Sequence, residues 1–313
     1  MTDKPKILIT GAAGFIGSHL ARKCVEEGYD VHILLRPSSD TSRIKDVLPK
    51  ITTIYGDLRD GNSLKIALDK IKPKGIFHLA TSTIMSGIMA SPEEIIETNF
   101  LGTVNLINSV DDTSLDFFVN TGSFLEYAPQ NRALKELDPC EPGELYSISK
   151  LSATLYAKAI SRLKKLPVVT IRIFTPYGPG IQKGRLVYEI IRTALENNEI
   201  NLTAPTVSRD FIFVKDIVDL YLKASLKAKF YSGEIFNAGS GSVTNLDELS
   251  RLIIGITGSK SKVIWGKLPL TTYDTASWQA DMTKTSSSFS WHPLYDLVEG
   301  LNQTLVWYRG NKN

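Results

Sequence analysis

Ile7-Leu8-Ile9-Thr10-Gly11-Ala12-Ala13-Gly14-Phe15-Ile16-Gly17 is the stretch whose reading decides the fold. An apolar run enters a glycine-rich turn, and an amphipathic stretch leaves it as far as Glu27. That context is strand, tight turn, helix. Gly11 permits the turn, and Gly14 lets a ligand approach the backbone because no Cβ stands in the way. Gly17 lets the helix pack closely on a sheet. The helix start, Phe15 and Ile16 included, then offers N–H groups and partial positive charge to a pyrophosphate. The pattern fits dinucleotide binding, although each pair of glycines is separated by two residues instead of the commoner one and two. The alternative is an ordinary strand-to-helix turn.

Working outward, β-type runs recur at Val31–Leu35, Ile51–Tyr55, Gly75–Leu79, Phe117–Thr121 and Val168–Phe174. Helical patterns lie between them at Phe15–Glu27, Leu64–Lys70, Pro92–Val110 and Tyr146–Leu163. The alternation predicts an α/β fold, a Rossmann-type doubly wound parallel sheet with helices on both faces. After residue 175 turn signals crowd at Pro176-Tyr177-Gly178-Pro179-Gly180. Helical patterns follow at Leu186–Asn197, Val214–Lys227, Leu246–Ile256 and Leu294–Tyr308. We expect a dinucleotide-binding domain over 1–175 and a smaller, mainly substrate-binding part over 176–313, interleaved across a soft boundary.

Composition excludes several classes. The chain has 313 residues, 42% apolar and 22% charged, which suits a globular protein with a real core. A net charge of +3, evenly spread, gives no footprint for nucleic acid. Two cysteines, Cys24 and Cys140, imply no disulfide framework. No apolar run reaches the length of a membrane span, and Met1–Lys6 carries no apolar signal core. The expectation is a cytoplasmic protein with no membrane partner, and no set of metal ligands is expected.

Tyr146-Ser147-Ile148-Ser149-Lys150 places a phenol and an ammonium one helical turn apart, on one face. A nearby cation favours the phenolate, so such a tyrosine can exchange a proton with a substrate oxygen. The spacing alone is weak, since Tyr308 and Lys312 show it too. Context carries it: Ser123 ends the fifth strand, and a strand-end hydroxyl and a following-helix tyrosine can converge on one oxygen. Ser123, Tyr146 and Lys150 are the candidate catalytic residues.

With these motifs in order, the chain resembles the extended short-chain dehydrogenase/reductase family. The resemblance rests on Thr10–Gly17, Gly56-Asp57-Leu58, His78-Leu79-Ala80, Asn99 in Asn99-Phe100-Leu101-Gly102-Thr103, Ser123, Tyr146 with Lys150, Arg209-Asp210-Phe211, Asn237-Ala238-Gly239 and the closing stretch Leu297–Arg309. It implies that Asp57 bonds the adenine and Leu58 packs beside it, that Lys150 also holds the nicotinamide ribose, and that Leu79, Ala80, Thr81, Asn99 and Thr121 belong to the cofactor site with Gly11, Gly14, Phe15, Ile16, Gly17 and Tyr146. It implies that Ser123 holds the reacting oxygen, Tyr146 acts as acid/base and Arg209 pairs with a substrate diphosphate. Read on their own, Asp57 could be a helix cap, Asn99 a core amide, and Arg209 half of a surface ion pair.

The second strand ends Leu35-Arg36-Pro37-Ser38-Ser39, with no acid at the position that grips an adenosine 2′-hydroxyl. Arg36, with Ser38, Ser39 or Arg43, suits a 2′-phosphate, so NADP(H) is expected ahead of NAD(H). Phe124 and Leu125 stand where the family's 4,6-dehydratases carry Asp-Glu, which disfavours dehydration, and Glu126 is one step late. Phe118–Phe124 and Arg209–Asp216 resemble the CDP-abequose/CDP-paratose synthase type. The implied activity is NADPH-dependent reduction of the 4-keto group of a nucleotide-diphosphate 4-keto-deoxysugar, as in deoxysugar biosynthesis. The alternatives are a 4-epimerase with tightly bound NAD, or a reductase of a non-nucleotide carbonyl. Tyr127-Ala128 and Thr175 depart from the family pattern at the sugar pocket, and Thr175 is a candidate substrate contact. Thr81–Met89 lines that pocket or is a surface loop. A homodimer through Pro92–Val110 and Tyr146–Leu163 is expected.

Overall fold

The computed structural model describes residues 4–83, 90–110, 115–271, 274 and 277–311. Most of the expected Thr81–Met89 pocket loop, from residue 84, lies outside them, as does Lys312. Strands form where the β-branched and aromatic runs were read: β1 (Lys6–Thr10), β2 (Asp30–Leu35), β3 (Thr52–Tyr55), β4 (Gly75–His78), β5 (Phe117–Ser123) and β6 (Val168–Ile173). With Ile235–Ala238 they make a seven-stranded sheet in the order β3, β2, β1, β4, β5, β6, Ile235–Ala238. Both neighbours of β1 run parallel to it, with Lys6 opposite Asp30 and Ile7 opposite Gly75. The interior strands are buried on both faces, which is why they read as unbroken apolar runs and not as alternation. β3 at the edge is partly exposed. Connections run outward in both directions from β1, so the sheet's switch point falls between β1 and β4, where such folds bind ligands.

The helices are α1 (Phe15–Glu26), α2 (Gly61–Ile71), α3 (Pro92–Ile96), α4 (Gly102–Ser109) and α5 (Leu145–Lys164). Asp60 caps α2 through the Ser63 N–H, so Asp57 is not that cap. The expected single helix 92–110 is one run interrupted by a π turn, Glu97–Leu101, which carries Asn99. Ser91 caps its start, with Pro92 next. α5 opens on a reciprocal cap between Glu144 and Ser147. Its buried face is mostly small (Ser149, Ala153, Thr154, Ala157, Ser161), which lets it lie close to its neighbours.

The chain divides into two compact units. The first is Met1–Glu126, Pro142–Arg172 and Val218–Phe236, and it carries a core cluster that includes Leu8, Ile76, Leu106, Phe118 and Val168. The second is Tyr127–Glu141, Ile173–Ile217 and Asn237–Asn313. It is built from two-stranded pairings, such as Thr175–Tyr177 with Phe211–Phe213 and Ser208–Arg209 with Thr244–Asn245. Among its helices are α6 (Leu186–Leu195), Leu246–Thr257 and Leu297–Gly310. Among the described residues no helix is long and apolar enough to cross a membrane.

Candidate active site

The bend after β1 can hold only glycine at two of its three positions. Gly11 has φ +73°, and a Cβ there would stand 2.6 Å from the backbone nitrogen of Ala80. A Cβ on Gly17 would stand 2.1 Å from the Gly11 carbonyl oxygen. Gly14 is the N-cap of α1, extended, with no side-chain cap over the helix start. The backbone donors of the first turn, at Phe15, Ile16 and Gly17, thus meet no capping side chain, and the helix dipole reinforces them. This cradle fits the pyrophosphate of a dinucleotide. Leu79, Ala80 and Thr81 follow the end of neighbouring β4.

The catalytic candidates lie at the carboxyl end of β5 and in the first turns of α5. Ser123 is buried; its N–H donates to Glu126 Oε1 at 2.8 Å, and its Oγ accepts from the Leu125 N–H at 3.2 Å. That arrangement leaves the hydroxyl proton to be donated elsewhere. Tyr146, half-buried, is the second residue of α5, and Lys150 is buried one turn along. Burial pulls the Lys150 ammonium down to about 8, and the Glu126 carboxylate works against that shift. Thr121 Oγ1 lies 2.6 Å from the Tyr221 hydroxyl and donates to the His78 carbonyl at 2.7 Å. Burial raises the Tyr221 phenol above its ordinary range, and Tyr146 adds to the rise, so the two phenols share one electrostatic neighbourhood.

Glu126 explains how this end of the strand is fixed. It is fully buried, and its Oε2 accepts from Arg172 Nε at 2.7 Å while Oε1 takes the Ser123 N–H and the Thr154 hydroxyl of α5. It therefore ties the β5 end, α5 and β6 together. These partners, Arg172, Ser123 and Thr154, are all protein groups of the interior. The pairing with Arg172 was not foreseen. The signal was there: a lone arginine inside Val168–Ile173 had to find a buried acid.

Asn99 has no spare capacity. Its Nδ2 donates to the Ser82 carbonyl and to Ser149 Oγ, both at 2.9 Å, and its Oδ1 accepts from the Ser82 N–H and the Thr81 hydroxyl. Ser149 in turn donates to the Tyr146 carbonyl. The side chain is the core amide of the second reading, and it braces the turn of α5 that bears Tyr146 and Lys150. His78 completes the brace. Thr103 donates to the Asn99 carbonyl and so must accept from His78 Nε2, which assigns the Nε2–H tautomer; Nδ1 then accepts from the Thr10 hydroxyl. Burial, with the field of Lys150, holds His78 down to about 3.

After β3, Asp57 is engaged by Arg59 through its N–H, Nε and Nη2. Leu58 is buried. Arg36 is half-exposed and lies in a turn closed by Ser39; Ser38 is exposed. Its guanidinium is 3.5 Å from the Glu94 carboxylate.

In the second unit Arg209 donates to Asp274 Oδ1 at 2.5 Å and to the Ser208 carbonyl. It occupies the ion pair kept as its alternative, though half-buried and not fully on the surface; burial pulls its guanidinium down and Asp274 opposes this. Asp210, unforeseen, is buried and accepts from the N–H groups of Ser240, Gly241 and Ala280 and from the Ser240 hydroxyl. It fixes the strand that displays Arg209. Thr175 Oγ1 and Gln182 Oε1 are buried with no hydrogen-bond partner among the described residues.

Comparison with known proteins places the chain in a family. The model of the NAD dependent epimerase/dehydratase family matches residues 7–239. A UDP-N-acetyl-alpha-D-glucosaminuronate decarboxylase from Bacillus cytotoxicus is 30% identical over 99% of either chain. A putative UDP-glucose 4-epimerase from Methanocaldococcus jannaschii is 28% identical over 97% of this chain and 99% of its own. The crystal structure of a UDP-glucose 4-epimerase with UDP-glucose from Thermotoga maritima superposes with a TM-score of 0.89, at 25% identity over 98% of this chain and all of that one.

Proposed function

Because this chain belongs to the NAD dependent epimerase/dehydratase family, we propose that it inverts C4 of a nucleoside-diphosphate sugar using a retained NAD. The observation that carries this is the grouping of Ser123, Tyr146 and Lys150 in one unit with the glycine cradle, with no proton-transferring side chain at Phe124 or Leu125. The names of the relatives favour epimerisation over ketoreduction. A nicotinamide dinucleotide, when bound, supplies reversible hydride acceptance. The cradle of Gly11, Gly14, Phe15, Ile16 and Gly17 would hold its pyrophosphate, with Asp57 and Leu58 at the adenine.

The chain's own part is proton chemistry and orientation. Tyr146 takes the proton of the C4 hydroxyl and later returns it. Ser123 donates to the same oxygen, and the positive charge of Lys150 favours the phenolate. Asn99 and Glu126 keep the three groups in register. Thr175, with its partnerless Oγ1, and Arg209 serve substrate recognition, Arg209 through the diphosphate. A second copy covers the exposed Leu145, Ile148, Leu155 and Leu163 of α5 and Leu101.

A second reading, NADP(H)-dependent reduction of an NDP-4-keto-deoxysugar, is favoured by Arg36 following Leu35 at the end of β2. One experiment separates the two. The purified chain is assayed with UDP-hexoses and no added reductant, and with NDP-4-keto-6-deoxy sugars and NADPH, with products identified by NMR. C4 epimers in the first arm are expected. NADPH consumption in the second arm with an unchanged sugar in the first would overturn the proposal.

A further inference from the structure

The ion pair between Arg36 and Glu94 spans the place where a dinucleotide's adenosine would lie. Arg36 follows β2, and the Glu94 carboxylate, 3.5 Å from it, also accepts from the Ser82 hydroxyl beyond β4. The sheet places β2 and β4 on opposite sides of β1. One carboxylate thus bridges both flanks of the strand whose end forms the glycine bend. Glu94 belongs to α3, so no reading of the β2 end could find it.

The charge around Arg36 is not that of a phosphate clamp. Asp57 lies within its field, with its carboxyl held below the ordinary range chiefly by Arg59 and further by Arg36. Arg59 feels Glu97 and Glu94 as well as Asp57. Three carboxylates, Asp57, Glu94 and Glu97, thus surround two guanidinium groups. A 2′-phosphate brings nearly two negative charges at neutral pH. Docked on Arg36, it would displace or face Glu94. A 2′-hydroxyl meets no such penalty, and it can donate to a carboxylate.

We infer that Glu94 is the residue that selects NAD over NADP: it supplies, from α3, the carboxylate that Leu35 does not, and it masks Arg36. This inference rests on the reading of the glycine cradle as a dinucleotide site, and it is independent of which C4 reaction follows. Leu35 and Arg36 alone gave the opposite expectation because they are local, and the compensating acid lies 58 residues away.

The test is calorimetric titration of the full chain, freed of co-purified nucleotide, with NAD and with NADP. The wild type is compared with Glu94→Gln and with the pair Glu94→Gln, Arg36→Gln. Glutamine keeps the size and helix preference of Glu94, and circular dichroism checks the fold. In Glu94→Gln the ratio of NADP to NAD affinity is expected to rise about tenfold, the scale of one charge-to-charge contact near a surface. The gain should shrink at high salt and vanish when Arg36 is also replaced. A ratio unchanged in Glu94→Gln, or equal weakening for both nucleotides, overturns the inference while leaving the cradle intact. Failure of both nucleotides to bind the wild type overturns the cradle reading itself, and the inference with it.

Discussion

Around Ser123 and Lys150 three buried polar residues of the first unit are committed to protein partners: Asn99 makes four hydrogen bonds, Glu126 three, and both nitrogens of His78 are engaged, whereas Asn120 Oδ1, on the same strand as Ser123, has no partner among the described residues. The second unit leaves Thr175 Oγ1 and Gln182 Oε1 buried without partners among the described residues, and it displays Arg209 on a two-residue strand. The difference teaches where each kind of specificity resides. On the proposed reading, a proton transfer needs atoms held to fractions of an ångström, which fits the full engagement of Asn99, Glu126 and His78. Recognition of one sugar among many needs groups kept for the ligand, and an unpaired buried hydroxyl costs stability until the ligand arrives.

The largest expected effect breaks the chemistry without touching the brace. Tyr146→Phe should lower turnover at least about 10²–10⁴-fold while NAD affinity stays near the wild-type value by titration. Next is the brace itself. Arg172→Leu strands the Glu126 carboxylate in the interior and should cost about 3–5 kcal/mol of stability in denaturant unfolding. Turnover should fall with it because Ser123 and α5 lose their common anchor. Arg209→Ala addresses the second unit. KM for the nucleotide sugar should rise about tenfold, the scale of one lost charge-assisted contact, with kcat little changed. Unaltered KM would point to a non-nucleotide substrate.

The last expected effect is a pH dependence. His78 stays neutral in the fold down to about pH 3, whereas in an unfolded chain it protonates near 6.5. The unfolded state therefore binds the extra proton between those values, and stability falls as pH drops through that window. The slope should approach about 1.4 kcal/mol per pH unit. Thermal melts from pH 7 to pH 4 should show a shallower decline in His78→Gln.

How much of this was legible in the sequence follows from range. The strands, the doubly wound class and the glycine bend depend on local patterns, apolar runs and three glycines, and these were readable; the order of the strands in the sheet was not. The NADP expectation depended on the two residues Leu35 and Arg36, whereas the family to which the chain belongs is described as NAD dependent. What escaped was pairing at a distance: Arg172 with Glu126, 46 residues apart, and Asn99 with Ser149, 50 apart. The π turn at Glu97–Leu101 escaped as well, since its apolar pattern still reads as one helix. Arg209 was placed by motif, but the acid at Asp274 that anchors it lies 65 residues on.

The most direct measurement follows a label. A nucleoside-diphosphate hexose carrying deuterium at C4 is incubated with the purified chain, and the product is read by NMR. The account expects inversion at C4 with the deuterium still attached to that carbon, and no product from Tyr146→Phe. Loss of the label to solvent, or reaction that leaves the C4 configuration untouched, would contradict it.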